Sequence, residues 1–312
     1  MGGLFLCPQN FRFDKTCKIS IIFSMQKEIR ILAPAKVNLG LKVLPRREDG
    51  FHNIESIFQT IDIKDLLEIT VLEGFGECTI QCAQLKLPEN NTLSSAYKAF
   101  SQVTKRPSKS VSVILTKRIP SGGGLGGGSS DAAALVRALE EINDITLTRN
   151  QLDEIANMVG SDVFFFLHCG QEIDGAAIVT GRGEYVKKIT KRNDLFFVLV
   201  FPNVFSSTKE AYSLVDELYA RNDQVIYPEL DNLNDIYNSA VSRWTFVNTF
   251  TPALISRYSD IEKCLKSVKK TGALFADMSG SGSTVFGVFE LREKALSAIE
   301  SLKNQGFTAV LA

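Results

Sequence analysis

Charge imbalance and long apolar runs are both absent from this sequence of 312 residues. Its 35 Lys and Arg residues balance 35 Asp and Glu residues, so the formal net charge at pH 7 is zero. A neutral chain lacks the long-range attraction that nucleic-acid binders and anionic-membrane binders use. No apolar run approaches the ~18 residues that cross a bilayer. We therefore expect a soluble protein with no nucleic-acid or membrane partner, in which a local device holds any anionic ligand.

Disulfide and metal-binding patterns are also scarce. The six cysteines are scattered without a CxxC pair, and the only histidines are His52 and His168. Cys78 and Cys82 lie four residues apart, but neither histidine is near them in sequence, which argues against a zinc site. A disulfide framework is not expected in so long a chain with this spacing. These features indicate a reducing compartment, and we expect the cytoplasm.

Residues 1–24 differ in composition from the rest of the chain. They are poor in acidic residues, and their apolar stretch at 19–23 is too short for the core of a signal peptide. Two interpretations stay open: an over-extended start, with Met25 as the natural first residue, or a transit peptide to a plastid-like organelle. In both cases we expect residues 1–25 to be an extension outside the fold.

Apolar periodicity predicts a mixed chain of strands and helices. Alternation of Val37, Leu39, Leu41 and Val43 with polar or small residues predicts a half-buried strand that begins near residue 29. Further strands are predicted at 54–61, 66–72, 78–82, 111–116, 196–201, 273–277, 284–289 and 308–311, with a strand pair at 176–186. Helices are predicted at 93–103, from about 130 onward, and at 149–159, 208–220, 252–268 and 291–304.

The order of these elements indicates an α+β fold, because hairpins interrupt any regular βαβ alternation. The charged stretch at 187–194 predicts a boundary between two domains, 26–190 and 191–312. Gly160 follows the predicted helix at 149–159 and suits the C′ position at its end.

Six glycines lie between Gly122 and Gly128, after a predicted strand and before a predicted helix. Glycine lets the backbone approach a ligand closely and adopt positive φ, and a helix N-terminus offers free N–H groups and partial positive charge. Phosphate is the ligand that suits this arrangement. Ser129 or Ser130 could cap the helix or offer a hydroxyl to a phosphate-bound Mg²⁺.

Three other interpretations of the glycine loop are weaker. A Walker A loop needs a lysine after its last glycine, and none follows here. A GxGxxG pattern can be read from Gly122 to Gly127, but a Rossmann unit requires a strand that ends in an acidic residue after the helix, whereas a second helix comes next. A flexible linker seldom lies so tightly between a β-branched strand and an amphipathic helix.

Lys36 and Asp162 each have an ordinary interpretation beside a functional one. Lys36 lies on the strand face opposite Val37, where a solvated lysine is the usual finding. Asp162 precedes five apolar residues and could simply cap the next segment. A carboxylate against an apolar wall is also where a general base could be placed.

Three aromatic rings and a second glycine-containing loop complete the candidates. His52 could be satisfied locally in a turn, and Phe51 and Tyr212 could belong to the core or could stack on a nucleobase. The segment 278–283 could be a plain connection between two strands, or a second loop that closes over phosphates.

Taken together, four segments in order resemble the motifs of the GHMP small-molecule kinases. They are PAKVNL at 34–39, the loop at 120–130, GSDV at 160–163 and SGSG at 279–282. Within that superfamily, DGFH at 49–52 and GGGLGGGSS at 122–130 look like the branch that phosphorylates a cytidylyl-linked methylerythritol in the non-mevalonate isoprenoid pathway. The resemblance runs from about residue 29 to the C-terminus.

This resemblance implies a two-domain fold and a small-molecule kinase activity. The N-terminal domain would be similar to ribosomal protein S5 domain 2, and the C-terminal domain would be ferredoxin-like, with the active site in the cleft between them. ATP and Mg²⁺ would be the cofactors, a cytidylyl compound the substrate, and the protein a monomer or a weak homodimer.

The resemblance also implies roles for residues. Asp162 would accept the proton of the C2 hydroxyl, and Lys36 would stabilise charge at that hydroxyl and at the γ-phosphate. The residues implied to bind ATP are Pro120, Ser121, Gly122, Gly123, Gly124, Leu125, Gly126, Gly127, Gly128, Ser129, Ser130, Asn91 and Lys117. Those implied to bind the acceptor are Asn38, Phe51, His52, Tyr212, Ser279, Gly280, Ser281 and Gly282.

Two rival functions share the same resemblance. GHMP kinases that act on mevalonate, homoserine or galactose lack the Asp-Gly-aromatic-His turn. A nucleotide-binding pseudokinase that acts as a regulator has no need to retain both Lys36 and Asp162. One departure from the family pattern is Phe51, where members often have Tyr, so that a hydroxyl is missing while the stacking face remains.

Overall fold

Two β-sheets, one after the other along the chain, organise the structure. The computed structural model describes residues 27–169, 173–204, 206–221 and 225–312. The extension predicted at 1–25 lies outside these residues. The mixture of helices and strands confirms the predicted α+β class.

The first sheet has six strands in the described part of the chain. They are β1 Glu28–Arg46, β2 His52–Phe75, β3 Cys78–Cys82, β4 Lys109–Thr116, β5 Ala176–Gly181 and β6 Tyr185–Ile189. Its strand order is β3-β4-β2-β5-β6, in which β4 and β5 pair with different ends of β2. Strand β1 pairs with the opposite edge of β2. Strands β3 and β4 are parallel. Four helices pack with this sheet: α1 Thr92–Thr104, α2 Gly127–Asn143, α3 Arg149–Val159 and α4 Ser161–His168.

The second sheet has four antiparallel strands in the order β10-β7-β9-β8. They are β7 Phe196–Phe201, β8 Phe275–Met278, β9 Val285–Phe289 and β10 Thr308–Leu311. The helices are α5 Thr208–Ala220, α6 Leu233–Asn238, α7 Phe250–Ile255, α8 Ser259–Lys270 and α9 Arg292–Asn304, with 3₁₀ turns at Leu230–Asn232 and Val241–Arg243. Chain order β-α-β-β-α-β with this strand order is the ferredoxin-like arrangement.

A β-bulge in β1 explains why that strand is not half-buried as predicted. The register shifts between Leu39 and Leu41, where Gly40 has φ +68° and a Cβ would lie 3.1 Å from Phe246. One extra residue reverses the faces of a strand. Val37 and Leu39 therefore pack in one core cluster, whereas Leu41 and Val43 pack in the other. The middle of β1 is buried on both faces.

Strand β2 is continuous where the sequence predicted two strands. The segment between the two predictions stays paired with β1, since Lys64 faces Pro34 and Asp65 faces Ala33, and a register shift between Pro34 and Ala35 absorbs the irregularity. Asp62, Lys64 and Asp65 interrupt the apolar pattern, but the ladder with β1 skips only Asp62 and Ile63 and the strand continues.

Other element boundaries also differ from the predictions. The helix predicted at 252–268 is two helices, because Arg257 and Tyr258 both donate to Leu254 O in a tight turn that ends α7. Helix α6 was not predicted. Gly160 has extended backbone, with φ 160° and ψ 157°, so it joins α3 to α4 and is not the left-handed C′ residue expected.

Candidate active site

The glycine-rich loop runs from the end of β4 into the first turn of α2. This helix begins at Gly127, earlier than the predicted start near residue 130, and Gly126 is its N-cap residue with φ +71°. Gly127 and Gly128 thus occupy the first turn, whose N–H groups have no partner within the helix. Since these residues have no side chains, an anion can approach their backbone directly.

The two serines after the glycines do not cap α2, which corrects one of the two interpretations above. No side chain caps this helix, because the N-cap position is taken by Gly126. Ser129 lines the space in front of the loop. Ser130 is fully buried, and its hydroxyl has no hydrogen-bond partner among the described residues.

A cavity of about 350 Å³ lies in front of this loop. Leucine side chains form its apolar wall: Leu85, Leu87, Leu93 and Leu115. Its lining includes the following residues predicted to bind ATP: Asn91, Lys117, Pro120, Ser121, Gly122, Gly123, Gly124, Leu125, Gly126, Gly127, Gly128 and Ser129. Ser130 alone of the predicted ATP residues is not part of this wall.

Lys117 is held in this wall by two buried carboxylates that sequence reasoning missed. Its Nζ contacts Asp65 and lies 2.9 Å from Asp131 Oδ2. Burial lowers the pKa of Lys117, but Asp131 and Asp65 outweigh that effect, so the net change is upward. Burial raises the pKa of Asp131 to about 7 against the attraction of Lys117. Asp65 also accepts from the backbone N–H groups of Arg118 and Ile119 at 2.5 and 2.8 Å.

Asn91 uses its side chain to begin α1. Its Oδ1 accepts from the N–H groups of Leu93 and Ser94, both at 3.0 Å, and its Nδ2 donates to Pro88 O at 3.0 Å. Ser94 completes a capping box. The side-chain amide is therefore already bonded within the protein, and Asn91 shapes the cavity wall through the start of the helix.

Lys36 and Asp162 are brought together as an ion pair. Lys36 Nζ lies 3.3 Å from Asp162 Oδ2 and 2.8 Å from Asn38 Oδ1. The ammonium also lies 4.6 Å from the centre of the Phe58 ring. Lys36 is 3% exposed and Asp162 34% exposed, so the carboxylate is the member of the pair that solvent or a ligand can reach.

Backbone contacts fix Lys36 against the glycine loop. Its N–H donates to Leu125 O at 2.9 Å, and a Cβ on Gly126 would lie 3.0 Å from its side chain. Asn38 Nδ2 donates to Ser56 Oγ at 3.2 Å. Asn38 is therefore bonded at both ends of its amide and orients the lysine.

A second cavity, of about 790 Å³, adjoins the first. Lys36 and Asp162 line it, and Gly122, Gly124 and Ser129 line both cavities. The residues predicted to bind the acceptor that line it are Asn38, Phe51, His52, Tyr212, Gly280, Ser281 and Gly282. The ion pair thus lies where the space in front of the glycine loop meets the space beside the aromatic rings.

The three aromatic candidates lie in this second cavity but in different settings. His52 is buried, and its ring stacks on Tyr212 with centres 5.0 Å apart and planes 28° apart. His52 Nδ1 is 2.7 Å from Leu44 O, and its Nε2 is 3.4 Å from Asp216 Oδ1. Phe51 is 52% exposed. Two aromatic surfaces, one open and one backed by the core, therefore line the same space.

The segment between β8 and β9 is anchored to the glycine loop. Ser279 Oγ donates to Gly124 O at 3.0 Å, and Thr284 N donates to Gly123 O at 3.3 Å. Ser279 is fully buried and does not line the second cavity, unlike the next three residues. Asn248, which no sequence pattern singled out, donates to Gly280 O at 2.8 Å.

Comparison with known proteins agrees with these motifs. Residues 91–170 match the GHMP kinases N terminal domain, and residues 227–307 match the GHMP kinases C terminal. A 4-diphosphocytidyl-2-C-methyl-D-erythritol kinase of Treponema pallidum is 37% identical over 274 residues, which cover 86% of this chain and 92% of that protein. The chain belongs to the family of 4-diphosphocytidyl-2-C-methyl-D-erythritol kinases.

Other members and relatives of this kinase family are consistent with that assignment. The family member from Chlorobium limicola is 36% identical over 273 residues, 88% of this chain and 92% of its own. A crystal structure of 4-(cytidine 5'-diphospho)-2C-methyl-D-erythritol kinase matches with TM-score 0.75 at 28% identity, over 91% of this chain and 98% of that one. A homoserine kinase from Cytophaga hutchinsonii, at TM-score 0.68 and 18% identity over 97% of this chain and 96% of its own, shares the fold.

These matches confirm the predicted GHMP kinase fold and the assignment to a kinase family. A GHMP kinase uses ATP as the phosphate donor. No helix in the described part of the chain is long and apolar enough to span a membrane.

The residues around the cavities could hold Mg²⁺ through one or two side-chain oxygens together with substrate phosphates. Within the described ranges, no group of three His, Cys, Asp or Glu side chains could hold a metal ion. Mg²⁺ commonly binds through substrate phosphates, waters and one or two protein oxygens. Ser129, on both cavities, and the partly exposed Asp162 are the oxygen donors that suit this mode.

Several residues of the site had weak signals or none in the sequence. Phe58 looked like one more apolar residue of a strand, and Asp131 directly follows the motif serines. Arg182 stands between Gly181 and Gly183 at the tip of the β5–β6 hairpin, where its guanidinium lies 5.0 Å from the centre of the Phe51 ring.

Proposed function

We propose that this chain transfers the γ-phosphate of ATP to the C2 hydroxyl of 4-diphosphocytidyl-2-C-methyl-D-erythritol, giving the 2-phosphate, in the non-mevalonate route to isoprenoid precursors. The observation that carries this proposal is the Lys36–Asp162 pair at the junction of two cavities. One cavity is walled by glycine backbone, which suits a triphosphate, and the other has aromatic surfaces, which suit a nucleobase.

The donor side relies on positioning and charge stabilisation. Phosphoryl transfer needs little covalent help from a protein, so free N–H groups in the first turn of α2 and one cation are adequate chemistry. Lys36, fixed by Asn38 and by the backbone of Leu125, would neutralise charge on the transferred phosphoryl group. Ser129 and Asp162 are the residues that would hold Mg²⁺, which would neutralise part of the phosphate charge.

The acceptor side relies on Asp162. Its carboxylate would take the proton of the C2 hydroxyl as the hydroxyl oxygen forms its bond to the γ-phosphorus and the bond to the leaving ADP breaks. The neighbouring Lys36 ammonium would stabilise the negative charge that develops on that oxygen. Exposure of Asp162 in the second cavity supports this role, because a general base must reach the hydroxyl.

The aromatic end of the second cavity would bind cytosine. Phe51 offers an open ring, and Tyr212 offers a ring that is backed by His52 on one face. Stacking of a base on an aromatic side chain contributes ~1–3 kcal/mol. We place the cytosine between Phe51 and Tyr212, with His52 as a polar neighbour.

Further features of the proposal concern the molecule and its setting. We propose domains at 26–190 and 191–312, a cytoplasmic location, and a monomer or weak homodimer. The break between the two sheets, after β6 and before β7, supports this division.

An acceptor panel tests the proposed function. Purified protein with Mg-ATP would be given the cytidylyl acceptor, mevalonate, homoserine or galactose in turn, with ADP release as the readout. We expect release with the cytidylyl acceptor only. Release with another acceptor instead would identify a different GHMP kinase, and binding of ATP without release from any of the four would favour a regulator.

A further inference from the structure

Asn248 lies where three parts of the second cavity's wall meet. Leu41 of β1, Phe250 at the start of α7 and Gly280 after β8 all line that cavity. Asn248 forms a backbone bridge with Leu41 and precedes Phe250 by two residues. Its own side chain is fully buried and does not line the cavity. Asn248 can therefore act on a ligand only through its neighbours.

The side-chain amide of Asn248 uses both N–H hydrogens and its oxygen within the protein. Its Nδ2 donates to Met278 O at 2.7 Å and to Gly280 O at 2.8 Å. Its Oδ1 accepts from Phe250 N at 3.0 Å. An amide suits this position because two carbonyl oxygens need donors while one N–H needs an acceptor. These bonds tie the start of α7 to the loop after β8.

Asp277 fixes the backbone of Asn248. Its Oδ2 accepts from Asn248 N at 3.0 Å, and its Oδ1 accepts from Thr251 Oγ1 at 2.5 Å and from Met278 N at 2.8 Å. Burial raises the pKa of Asp277 to about 6, and these three donors oppose that rise because they favour the carboxylate. A buried carboxylate with three donors holds Asn248 in one place.

The loop after β8 is held by different partners on its two sides. Ser279 Oγ donates to Gly124 O at 3.0 Å, which fixes the loop to the glycine loop and the ATP side. Asn248 holds Gly280, and the two residues after Gly280 line the second cavity. Loss of the Asn248 donors would therefore release the acceptor side of the loop while Ser279 keeps the ATP side in place.

Phe250 extends the influence of Asn248 to the aromatic end of the second cavity. Its ring meets the Tyr212 ring edge to face, with centres 5.0 Å apart and planes 88° apart. Tyr212 also stacks on His52. Because Asn248 Oδ1 holds the backbone of Phe250, the same amide that fixes Gly280 also fixes the ring that supports Tyr212.

We propose that Asn248 is a positioning residue for the acceptor, whose amide, anchored by Asp277, holds Gly280 and Phe250 in the wall of the second cavity. This inference rests on the proposed function, in which the second cavity binds the cytidylyl acceptor. A residue with this role changes the affinity for the acceptor and leaves the affinity for the phosphate donor nearly constant.

Asn248→Asp tests this role at constant side-chain size. A carboxyl group has at most one proton to donate, so at least one of the two carbonyl oxygens loses its partner. The ATP cavity is saturated with a non-hydrolysable ATP analogue, and CDP is titrated by calorimetry. We expect the Kd of CDP to rise ~10-fold, whereas the Kd of ADP, measured without the analogue, should stay within ~3-fold. In turnover, KM for the cytidylyl acceptor should rise by a similar factor with kcat nearly unchanged.

Asn143→Asp is the matched control, because Asn143 makes the same three kinds of bond outside both cavities. Its Nδ2 donates to Ser108 Oγ at 2.9 Å and to Leu139 O at 2.8 Å, and its Oδ1 accepts from Lys109 N at 3.1 Å. This variant should lower the melting temperature and leave both affinities unchanged. Asn248→Ser keeps one donor in a smaller side chain, so it replaces Asn248→Asp if that variant does not fold, and it should weaken CDP binding a few-fold.

Equal losses of CDP and ADP affinity in the Asn248 variant, or no loss of either, would overturn the proposal, because Asn248 would then support only the fold. An equal loss of CDP affinity in Asn143→Asp would overturn it too. Weaker CDP binding in Asn248→Asp, without turnover of the cytidylyl acceptor by the unaltered protein, would keep the positioning role and refute the proposed function. Turnover by the unaltered protein together with unchanged CDP affinity in Asn248→Asp would do the reverse.

Discussion

Lys36 holds its ammonium between a carboxylate, an amide oxygen and an aromatic ring. Burying an unpaired cation is costly, so a lysine that is 3% exposed requires such partners. The bulge at Gly40 brings Leu41 and Val43 to the strand face that Lys36 occupies, and the glycine loop covers Lys36. A lysine in this setting has one accessible charged partner, Asp162, and the chemistry of the site depends on that pair.

Asp162→Asn should lower kcat by at least ~100-fold, because an amide of the same size cannot accept the proton of the hydroxyl. Binding of ADP, measured by calorimetry, should remain within a few-fold of the unaltered protein. Asp260→Asn is the control, since Asp260 also lies in the first turn of a helix but outside both cavities. Near-normal kcat in Asp162→Asn would show that this residue only begins α4.

Asp131 makes stability depend on pH in a direction that can be measured. Its pKa rises from 3.8 to about 7 on folding, chiefly through burial. The folded state therefore holds a proton that the unfolded state has released between pH 4 and 7, and the free energy of unfolding falls as pH rises through that range.

We expect Asp131→Asn to remove this dependence. The free energy of unfolding of the unaltered protein should fall, relative to the variant, by on the order of 1 kcal/mol per pH unit between pH 5 and 7 and then stay level. The melting temperature, measured at each pH, should follow the same course. Asp260→Asn should keep a constant offset across the same range. A constant offset for Asp131→Asn as well would mean that Asp131 is ionised throughout, paired with Lys117.

At the scale of elements, the glycine loop and the loop after β8 form one unit. Gly124 has φ +76°, and a Cβ there would lie 2.0 Å from Ser279 O. The loops bind each other through Ser279 Oγ and through the backbone of Thr284 and Gly123. Glycine at 124 is thus required both by backbone conformation and by contact with the other half of the chain.

Gly124→Ala should destabilise the protein by about 2 to 4 kcal/mol, because strain at positive φ adds to a clash with backbone that cannot move freely. It should also weaken ADP binding. Gly76→Ala is the matched control: it has φ +90° with nothing within 4 Å of the added Cβ. That variant should lose only about 1 kcal/mol. Urea unfolding gives both values, and equal losses would show that the loops do not depend on this contact.

At the scale of the whole molecule, residues from the second half of the chain cover the edge of β1 that does not pair with β2. Leu41 N donates to Val247 O at 2.9 Å, and Thr249 N donates to Leu41 O at 2.8 Å. The Thr249 hydroxyl accepts from Val43 N at 2.9 Å and donates to Leu41 O at 3.0 Å. Tyr219 adds a hydrogen bond to Val43 O. These bonds fix the two sheets beside the cavities.

Thr249→Val should therefore destabilise the protein by about 2 to 4 kcal/mol, since Val43 N is left buried without a partner while side-chain volume is kept. The KM for the cytidylyl acceptor should rise as well, because the cavity is bounded by both halves. Thr271→Val removes only a local bond to Val268 O and should cost less than about 1 kcal/mol. Equal unfolding free energies for the two variants would contradict the expected importance of this junction.

Local patterns were sufficient for most of the elements. The strands at 78–82, 196–201 and 308–311 and the helices at 149–159 and 208–220 have the bounds that periodicity predicts. The errors occur where tertiary contacts override the pattern. Pairing with β1 keeps β2 continuous across its polar residues, and a turn that donates to Leu254 divides α7 from α8.

The sequence by itself determined the phosphate loop and the family of this chain. Glycine is chemically distinctive, and its effect on the backbone is local, so the segment at 122–128 could be interpreted without coordinates. The ordered motifs around Lys36, Asp162 and Ser279 likewise led to the GHMP kinases, which the matches at 91–170 and 227–307 confirm.

Only the tertiary structure decided which side chains are available to a ligand. Asn91 and Asn38 are bonded within the protein, Ser130 and Ser279 lie behind the walls, and Lys117 rests between Asp65 and Asp131. Periodicity also placed Lys36 on a strand face that was expected to be open, whereas the glycine loop and Phe58 cover that face. Burial and pairing arise from contacts between residues far apart in sequence, so a local pattern carries no signal for them.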